Sequence, residues 1–261
     1  MMAVLDRFRL DGRTAVITGG SRGLGKDMAL NLAKKGLDVI ITYHSKSDEA
    51  AAVVQDIQNS GQKAAALQLS VGEVKSFGSF LTAVNETLKT VFQTDKIDFL
   101  INNAGMGHYA PFVSVAEADF DDVCNVHLKG PFFLTQILLP IMNDGGGIVN
   151  ISSGLARFSF PGSSTYAAMK SAIETLTRYQ AKELGDRRIR ANVVAPGAIE
   201  TDFGGGHVRD NPALNKQVAS LTALGRVGLP DDVGGVVAFL CSDDAKWVNG
   251  QRIEVSGGTM L

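Results

Sequence analysis

The chain of 261 residues lacks the features that would mark several large functional classes. It has two cysteines, Cys124 and Cys241, with no metal-like spacing. A disulfide framework is therefore not expected, and both residues fall in apolar helical patterns that read as core. The four histidines, His44, His108, His127 and His207, show no ligand spacing either, so no metal is expected. Net charge is only −2, which leaves no electrostatic case for nucleic acid or an anionic membrane as a partner. No apolar run approaches the ~18 residues of a membrane span. The segment from Met1 to Leu10 carries Asp6, Arg7 and Arg9 and has no apolar signal core, so a cytoplasmic location is expected. Internal repeats and low-complexity linkers are also missing. Residues 1–261 read as a single domain of ordinary globular composition, 45% hydrophobic and 20% charged.

What is present is alternation. Apolar, β-branched runs at 13–18, 37–43, 63–69, 97–101, 147–152, 189–194 and 251–255 read as strands. Helical patterns lie at 26–35, 47–59, 73–92, 115–142, 163–184, 212–221 and 231–240, and the glycine runs at 145–147 and 204–206 read as loops. Strands alternating with helices predict an α/β fold: a Rossmann-type, doubly wound parallel sheet of about seven strands with helices on both faces. In such a sheet ligands bind beyond the C-terminal strand ends. Asn102, Ser153 and Pro196 stand at those ends.

The first strand runs into Gly19-Gly-Ser-Arg-Gly-Leu-Gly25 and then a helix. Strand, glycine turn and helix N-terminus together form a cradle for a pyrophosphate, because the backbone can approach closely and unpaired N–H groups point at the anion. Gly19, Ser21, Arg22, Gly23, Leu24 and Gly25 are the candidate contacts. The spacing Gly-x-x-x-Gly-x-Gly differs from the commoner Gly-x-Gly-x-x-Gly fingerprint.

Tyr166 and Lys170 sit at i and i+4 of a helical stretch, so they share a face. An ammonium beside a phenol favours the phenolate, and a lowered pKa is expected for Tyr166. The pair alone also describes an amphipathic helix with a half-buried tyrosine and a solvated lysine. Ser153 could offer a hydroxyl to the same spot.

Taken in order, these motifs resemble the short-chain dehydrogenase/reductase family from Arg13 to about Gly258. The resemblance rests on the glycine turn, Asn102-Asn-Ala-Gly105, Asn125 in Asn-Val-His-Leu-Lys-Gly130, the Ser153/Tyr166/Lys170 set, Pro196-Gly-Ala-Ile-Glu-Thr201, Gly225-Arg-Val-Gly-Leu-Pro230 and Val255-Ser-Gly-Gly258. It implies a catalytic tetrad of Asn125, Ser153, Tyr166 and Lys170. Ser153 would hold a carbonyl oxygen, Tyr166 would exchange its proton, and Lys170 would bind the cofactor ribose. Asn125 would hold a helix kink and a water linking Lys170 to solvent. Ser70, Val71, Ala104, Gly105, Pro196, Gly197, Ile199 and Thr201 would contact the dinucleotide. Asn103 would pack against it or tie neighbouring strands together. Asp202 reads as a helix cap or a solvated residue, and His127 as a helix residue. Two departures from the family stand out. Ser70 replaces an aspartate that often contacts adenine, and Ser256 replaces the aspartate of a C-terminal Asp-Gly-Gly.

The resemblance extends to carbonyl reductases and to 3-oxoacyl carrier-protein reductases. The first reading is reversible reduction of a small-molecule ketone. The second needs a basic patch for an acidic carrier protein, with Lys129, Arg157 and Arg178 as candidates. A non-catalytic dinucleotide-binding regulator is a third reading, disfavoured by the intact tetrad. Met106, His108, Tyr109, Phe112, Phe158, Phe160 and Phe203 suggest an aromatic-walled pocket under a mobile flap, or simply local loop packing. NADP(H) is the expected cofactor, because the second strand ends Tyr43-His44-Ser45-Lys46 with no carboxylate before Asp48. A carboxylate there would repel a 2′-phosphate, whereas Arg22, His44, Ser45 and Lys46 could bind one. Family likeness and the surplus apolar residues Phe132, Phe133 and Leu134 imply a homotetramer.

Overall fold

A computed structural model describes residues 10–261. The expectation for the segment before Leu10 lies outside the described residues. The first half runs β1 (Thr14–Ile17), α1 (Gly23–Lys34), β2 (Asp38–Tyr43), α2 (Ser47–Asn59), β3 (Ala64–Gln68) and α3 (Phe77–Thr87). The second half runs β4 (Ile97–Asn102), α4 (Glu117–Cys124), α5 (Gly130–Leu138), β5 (Met142–Ile151), α6 (Ser164–Glu183) and β6 (Arg190–Pro196). It closes with α7 (His207–Asp210), α8 (Pro212–Ser220), α9 (Gly234–Leu240) and β7 (Arg252–Val255).

The strands form one seven-stranded sheet in the order β3-β2-β1-β4-β5-β6-β7, and each neighbouring pair is parallel. Alternate residues divide between two cores. Ala15, Ile17, Val39 and Ile41 pack with Met28, Leu32, Val53 and Val237. Val16, Ile40 and Leu100 pack with Phe80, Val84 and Leu134 on the other face. Burial on both sides explains why the inner strands read as unbroken apolar runs. The chain moves outward from β1 to β3 and then returns to β4 beside β1. That reversal opens a crevice beyond the C-terminal ends of β1 and β4. The glycine turn leaves β1 there, and Asn103-Ala-Gly105 leaves β4.

Three segments differ from their sequence patterns. The helix expected over 115–142 is broken into α4, a π-helical turn over Asn125–Lys129, α5 and a 3-10 turn over Leu139–Ile141. The Gly130 amide bonds the Asn125 carbonyl five residues back. A side chain at Gly130 would collide with the Val71 carbonyl, so the bare α-carbon lets that loop press on the turn. The apolar period continues through the break and conceals it. The helix expected over 73–92 likewise ends in a π turn at Leu88–Phe92. Part of the glycine run at 145–147 belongs to β5. This strand starts at Met142, bulges after pairing with Ile97, and resumes pairing at Gly147 opposite Phe99. Asn143 donates to the Asp98 carboxylate at 2.9 Å across the irregularity. Among the described residues, no helix is long and apolar enough to cross a membrane, and no cluster of His, Cys, Asp or Glu could hold a metal ion.

Candidate active site

The glycine turn is clamped to β4. The Thr18 hydroxyl accepts from the Asn103 and Ala104 amides, each at 3.0 Å. The Asn103 side chain donates to the carbonyls of Thr18 at 2.9 Å and Gly19 at 3.2 Å. Of its two expected roles, Asn103 thus performs the strand-tying one. Thr18 therefore belongs to the site, although a threonine ending a β-strand gives no local signal of this clamp. Gly25 opens the buried face of α1, and a Cβ there would stand 2.0 Å from the Gly19 carbonyl oxygen. Gly23 takes a left-handed φ of 53°, with the Thr201 methyl against it. The β6 loop therefore closes onto the turn. The bare backbone, the N-terminus of α1 and these clamps fit a dinucleotide pyrophosphate.

Arg22 is exposed, and its guanidinium lies 3.5 Å from Asp202. Asp202 also pairs with Arg209, and its side chain makes no capping hydrogen bond. Asp202 is therefore not a cap; it is exposed, as the solvated reading has it, and forms a double ion pair there. His44 and Ser45 are exposed at the end of β2, where the His44 carbonyl accepts from Gln68 at 2.9 Å. Ser70 and Val71 follow β3 and are half-buried. Pro196 is buried at the end of β6, and Gly197 and Ile199 continue from it, with Ile199 bridged to Gly228.

The tetrad residues come together from three elements. Ser153 follows β5, its hydroxyl accepting from the Leu155 amide at 3.2 Å and close enough to the Tyr166 phenol to act on its pKa. Tyr166 and Lys170 share one face of α6, with the ammonium 5.4 Å from the phenol ring centroid. Lys170 is buried and donates to the Ile151 carbonyl at 2.7 Å. Asn125 opens the π turn, which packs on α6.

Electrostatics at the pair run against the sequence expectation. Burial raises the Tyr166 pKa above its ordinary value; the Ser153 hydroxyl opposes this, and nearby Tyr109 adds to it. Lys170 is itself pulled down to about 7 by burial. A lysine with that pKa carries only part of its charge at neutral pH, and desolvation of the phenolate wins. The phenol is therefore protonated in the protein alone.

Behind Ser153 lies a charged network. Arg252 of β7 donates to Glu174 at 2.7 Å, to Glu254 at 2.9 Å and to the Ser153 carbonyl at 3.3 Å. Glu174 also accepts from Ser152 at 2.7 Å. Arg157 is held by Glu254 at 3.0 Å and by the Thr259 carbonyl at 2.9 Å. On the substrate side, the Phe203 ring lies 5.9 Å from Tyr166. A Cβ at Gly107 would stand 2.9 Å from the Gly204 Cα, so the loop after β4 touches the flap. Phe158 packs under Gly154, while Phe160 and Phe112 point to solvent.

The family described as Enoyl-(Acyl carrier protein) reductase matches residues 19–260. An uncharacterized oxidoreductase of Methylorubrum extorquens is 37% identical over 252 residues, 96% of this chain and 98% of the relative. The chain belongs to the short-chain dehydrogenase/reductase family. As a short-chain dehydrogenase/reductase it is an oxidoreductase of carbonyl and alcohol groups. The hydroxynaphthalene reductase-like protein Arp2 of Metarhizium brunneum is 35% identical over 262 residues, 96% of each chain. The crystal structure of the angucycline C-6 ketoreductase LanV with bound NADP superposes with a TM-score of 0.92 at 35% identity, covering 97% of each chain.

Proposed function

We propose that this short-chain dehydrogenase/reductase uses NADPH to reduce a ketone on a fused-ring aromatic compound to the secondary alcohol, reversibly. The observation that carries the reading is the gathering of Ser153, Tyr166 and buried Lys170 in one place, next to a cradle built for a dinucleotide. Support for the substrate class comes from the hydroxynaphthalene reductase-like relative and the angucycline ketoreductase. The aromatic side chains around Tyr166 suit a flat ring system. The NADP bound by that ketoreductase supports the cofactor.

Gly19, Ser21, Gly23, Leu24 and Gly25 would hold the pyrophosphate, and Arg22 with His44 and Ser45 the 2′-phosphate. Ser70 and Val71 would border the adenine. Ala104 and Gly105, with Asn103 behind them, would border the ribose. Pro196, Gly197, Ile199 and Thr201 would close on the nicotinamide. When bound, the cofactor supplies a hydride to the carbonyl carbon. Ser153 donates to the carbonyl oxygen, where negative charge develops. Tyr166 gives that oxygen its proton; the burial that keeps the phenol protonated suits an acid in the reductive direction. Lys170, with a pKa of about 7, stabilises the phenolate left behind and binds the ribose. Asn125 would open the π turn that the Gly130-to-Asn125 bond holds, and would keep the water that links Lys170 to solvent. The chain works as one catalytic and dinucleotide-binding unit. It acts as a cytoplasmic homotetramer, with exposed Phe120, Phe132, Phe133 and Tyr179 on α4 to α6 as the surface to cover, whereas Leu134 is taken up by the core and is not surplus.

The test follows NADPH absorbance with a bicyclic aromatic ketone, a β-keto ester and a 3-oxoacyl thioester. Preferred turnover of the bicyclic ketone is expected. Turnover of the thioester alone would reassign the enzyme to fatty-acid synthesis, which Arg157, already engaged by Glu254 and Thr259, makes the weaker reading. No turnover of any carbonyl would sink the catalytic reading. Light scattering that gives a monomer mass at micromolar concentration would remove the tetramer.

A further inference from the structure

His127 lies in the π turn at 2% exposure. Its ring meets Tyr166 edge-on, with centroids 5.0 Å apart and an interplanar angle of 87°. Its Nε2 lies 2.8 Å from the Met106 carbonyl oxygen and 3.2 Å from the Met106 amide. The shorter contact makes Nε2–H a donor to the carbonyl, which leaves Nδ1 as a bare lone pair. Nδ1 is buried and has no hydrogen-bond partner. An apolar ring would fill this space without that desolvation cost, so packing alone does not account for a histidine here. The rest of the surroundings agree. A Cβ at Gly105 would stand 2.8 Å from the imidazole Cε1, so the glycine ending Asn-Asn-Ala-Gly makes room for the ring. Burial, then the charge of Lys170, pushes the imidazole pKa down to about 3. His127 is neutral at any working pH and is not itself an acid or base in the reaction.

We propose that His127 is a positioning residue for Tyr166. The imidazole sets the phenol ring by edge-to-face packing, and its Nε2–H ties the substrate-side loop at Met106 to that same ring. The two contacts give one side chain two separable jobs. Ring packing governs where the phenol points and is read in kcat. The Met106 bond governs the loop and is read in the KM for ketone. This rests on Tyr166 being the proton donor of the proposed ketone reduction.

The experiment compares His127→Phe, which keeps a ring edge and loses the donor, with His127→Gln, which keeps a donor and loses the ring, and His127→Ala, which loses both. An edge-to-face contact and a net hydrogen bond are each worth about two- to tenfold. His127→Phe should keep kcat within about twofold and raise the KM for ketone about two- to tenfold. His127→Gln should do the reverse, and His127→Ala should lose both, all with the KM for NADPH unchanged. A second readout needs no turnover: NMR of the protein with 13Cζ-labelled tyrosine, following the Tyr166 phenol through its titration. The titratable groups facing Tyr166 are Lys170 from α6, Tyr109 from the substrate loop and the imidazole itself. Removing the ring in His127→Ala admits water, so the phenol should titrate at lower pH than in the wild type, while His127→Phe leaves it in place. Equal kcat losses in the Phe and Ala variants, or a phenol titration identical in all four proteins, would overturn the proposal. A wild type that turns over no carbonyl yet shows the expected titration shifts would overturn the ketone reading and leave the positioning contact standing.

Discussion

The glycine turn after β1 and the flap over Asp202–Asp210 face each other across the same crevice, and they are built differently. The turn is clamped by partly buried hydrogen bonds that link Thr18 to Asn103 and Ala104 and by a backbone approach that leaves no room for a Cβ at Gly25. The flap carries three successive glycines in left-handed conformations, at φ 62°, 78° and 76°. Its ion pairs, Arg209 with Asp202 and Asp210, are exposed and stabilise it little. Moving the turn would break a packed interior; moving the flap exchanges a few solvated contacts for others. The flap is thus the side that costs less to move. Arg22 joins the two, rooted in the turn and paired with the flap through Asp202.

The difference can be tested from the largest effect downward. Tyr166→Phe should cut kcat by roughly 10²–10⁴ while NADPH affinity, measured by fluorescence titration, stays as it was. A variant with near-normal kcat would show that the proton comes from another group. His127→Phe should change acid stability by a few kcal/mol, on the order of the linkage for a shift of this size. The histidine titrates at about 3 in the fold and near ~6.5 in the unfolded chain. Between those values the unfolded chain holds the extra proton, so stability is complete above ~6.5 and drains away as pH falls toward 3. Urea midpoints recorded from pH 7 to pH 4 should therefore fall less steeply in the variant. Parallel slopes would mean that the imidazole is not a source of acid lability.

Gly25→Ala should weaken NADPH binding about ten- to a hundredfold, because overpacking beside a backbone carbonyl costs about 1–3 kcal/mol. Unchanged affinity would show the turn to be as pliant as the flap. Arg22→Ala should cost about tenfold in NADPH affinity and leave NADH alone; equal losses for both would detach Arg22 from the 2′-phosphate. The smallest effect is of opposite sign. Asp202→Asn frees Arg22 from its competitor across the crevice and should tighten NADPH by about two- to threefold, in keeping with an exposed pair. Weaker binding in that variant would mean that the carboxylate positions Arg22 for the cofactor.

The sequence disclosed what consecutive residues decide. The glycine turn could be read because its parts adjoin, and Tyr166 and Lys170 because one helical turn separates them. Alternating apolar runs disclosed the sheet, since burial on both faces leaves no polar period to misread. The contacts that bring distant segments together were hidden. Nothing local pairs His127 with Tyr166, Arg252 with Ser153, or Arg22 with Asp202. The π turn escaped for a related reason: one extra residue in a continuous apolar stripe shifts the face without changing composition. The sign of the Tyr166 shift was misjudged because spacing reports the neighbouring charge and says nothing of desolvation, the larger influence here.

Arg252 has a consequence for how the molecule comes into being. It belongs to β7, which is made after the other described strands and which, among the described residues, pairs with β6 alone. Strands β1 to β4, made first, carry the glycine turn and the Asn103-Ala-Gly105 loop, whereas Lys170 and the loop after β6 come later. The brace behind Ser153 waits for β7 to fold back onto β6, a long-range step of the slow kind. During synthesis, the pyrophosphate turn should therefore take shape before the groups that turn the coenzyme over.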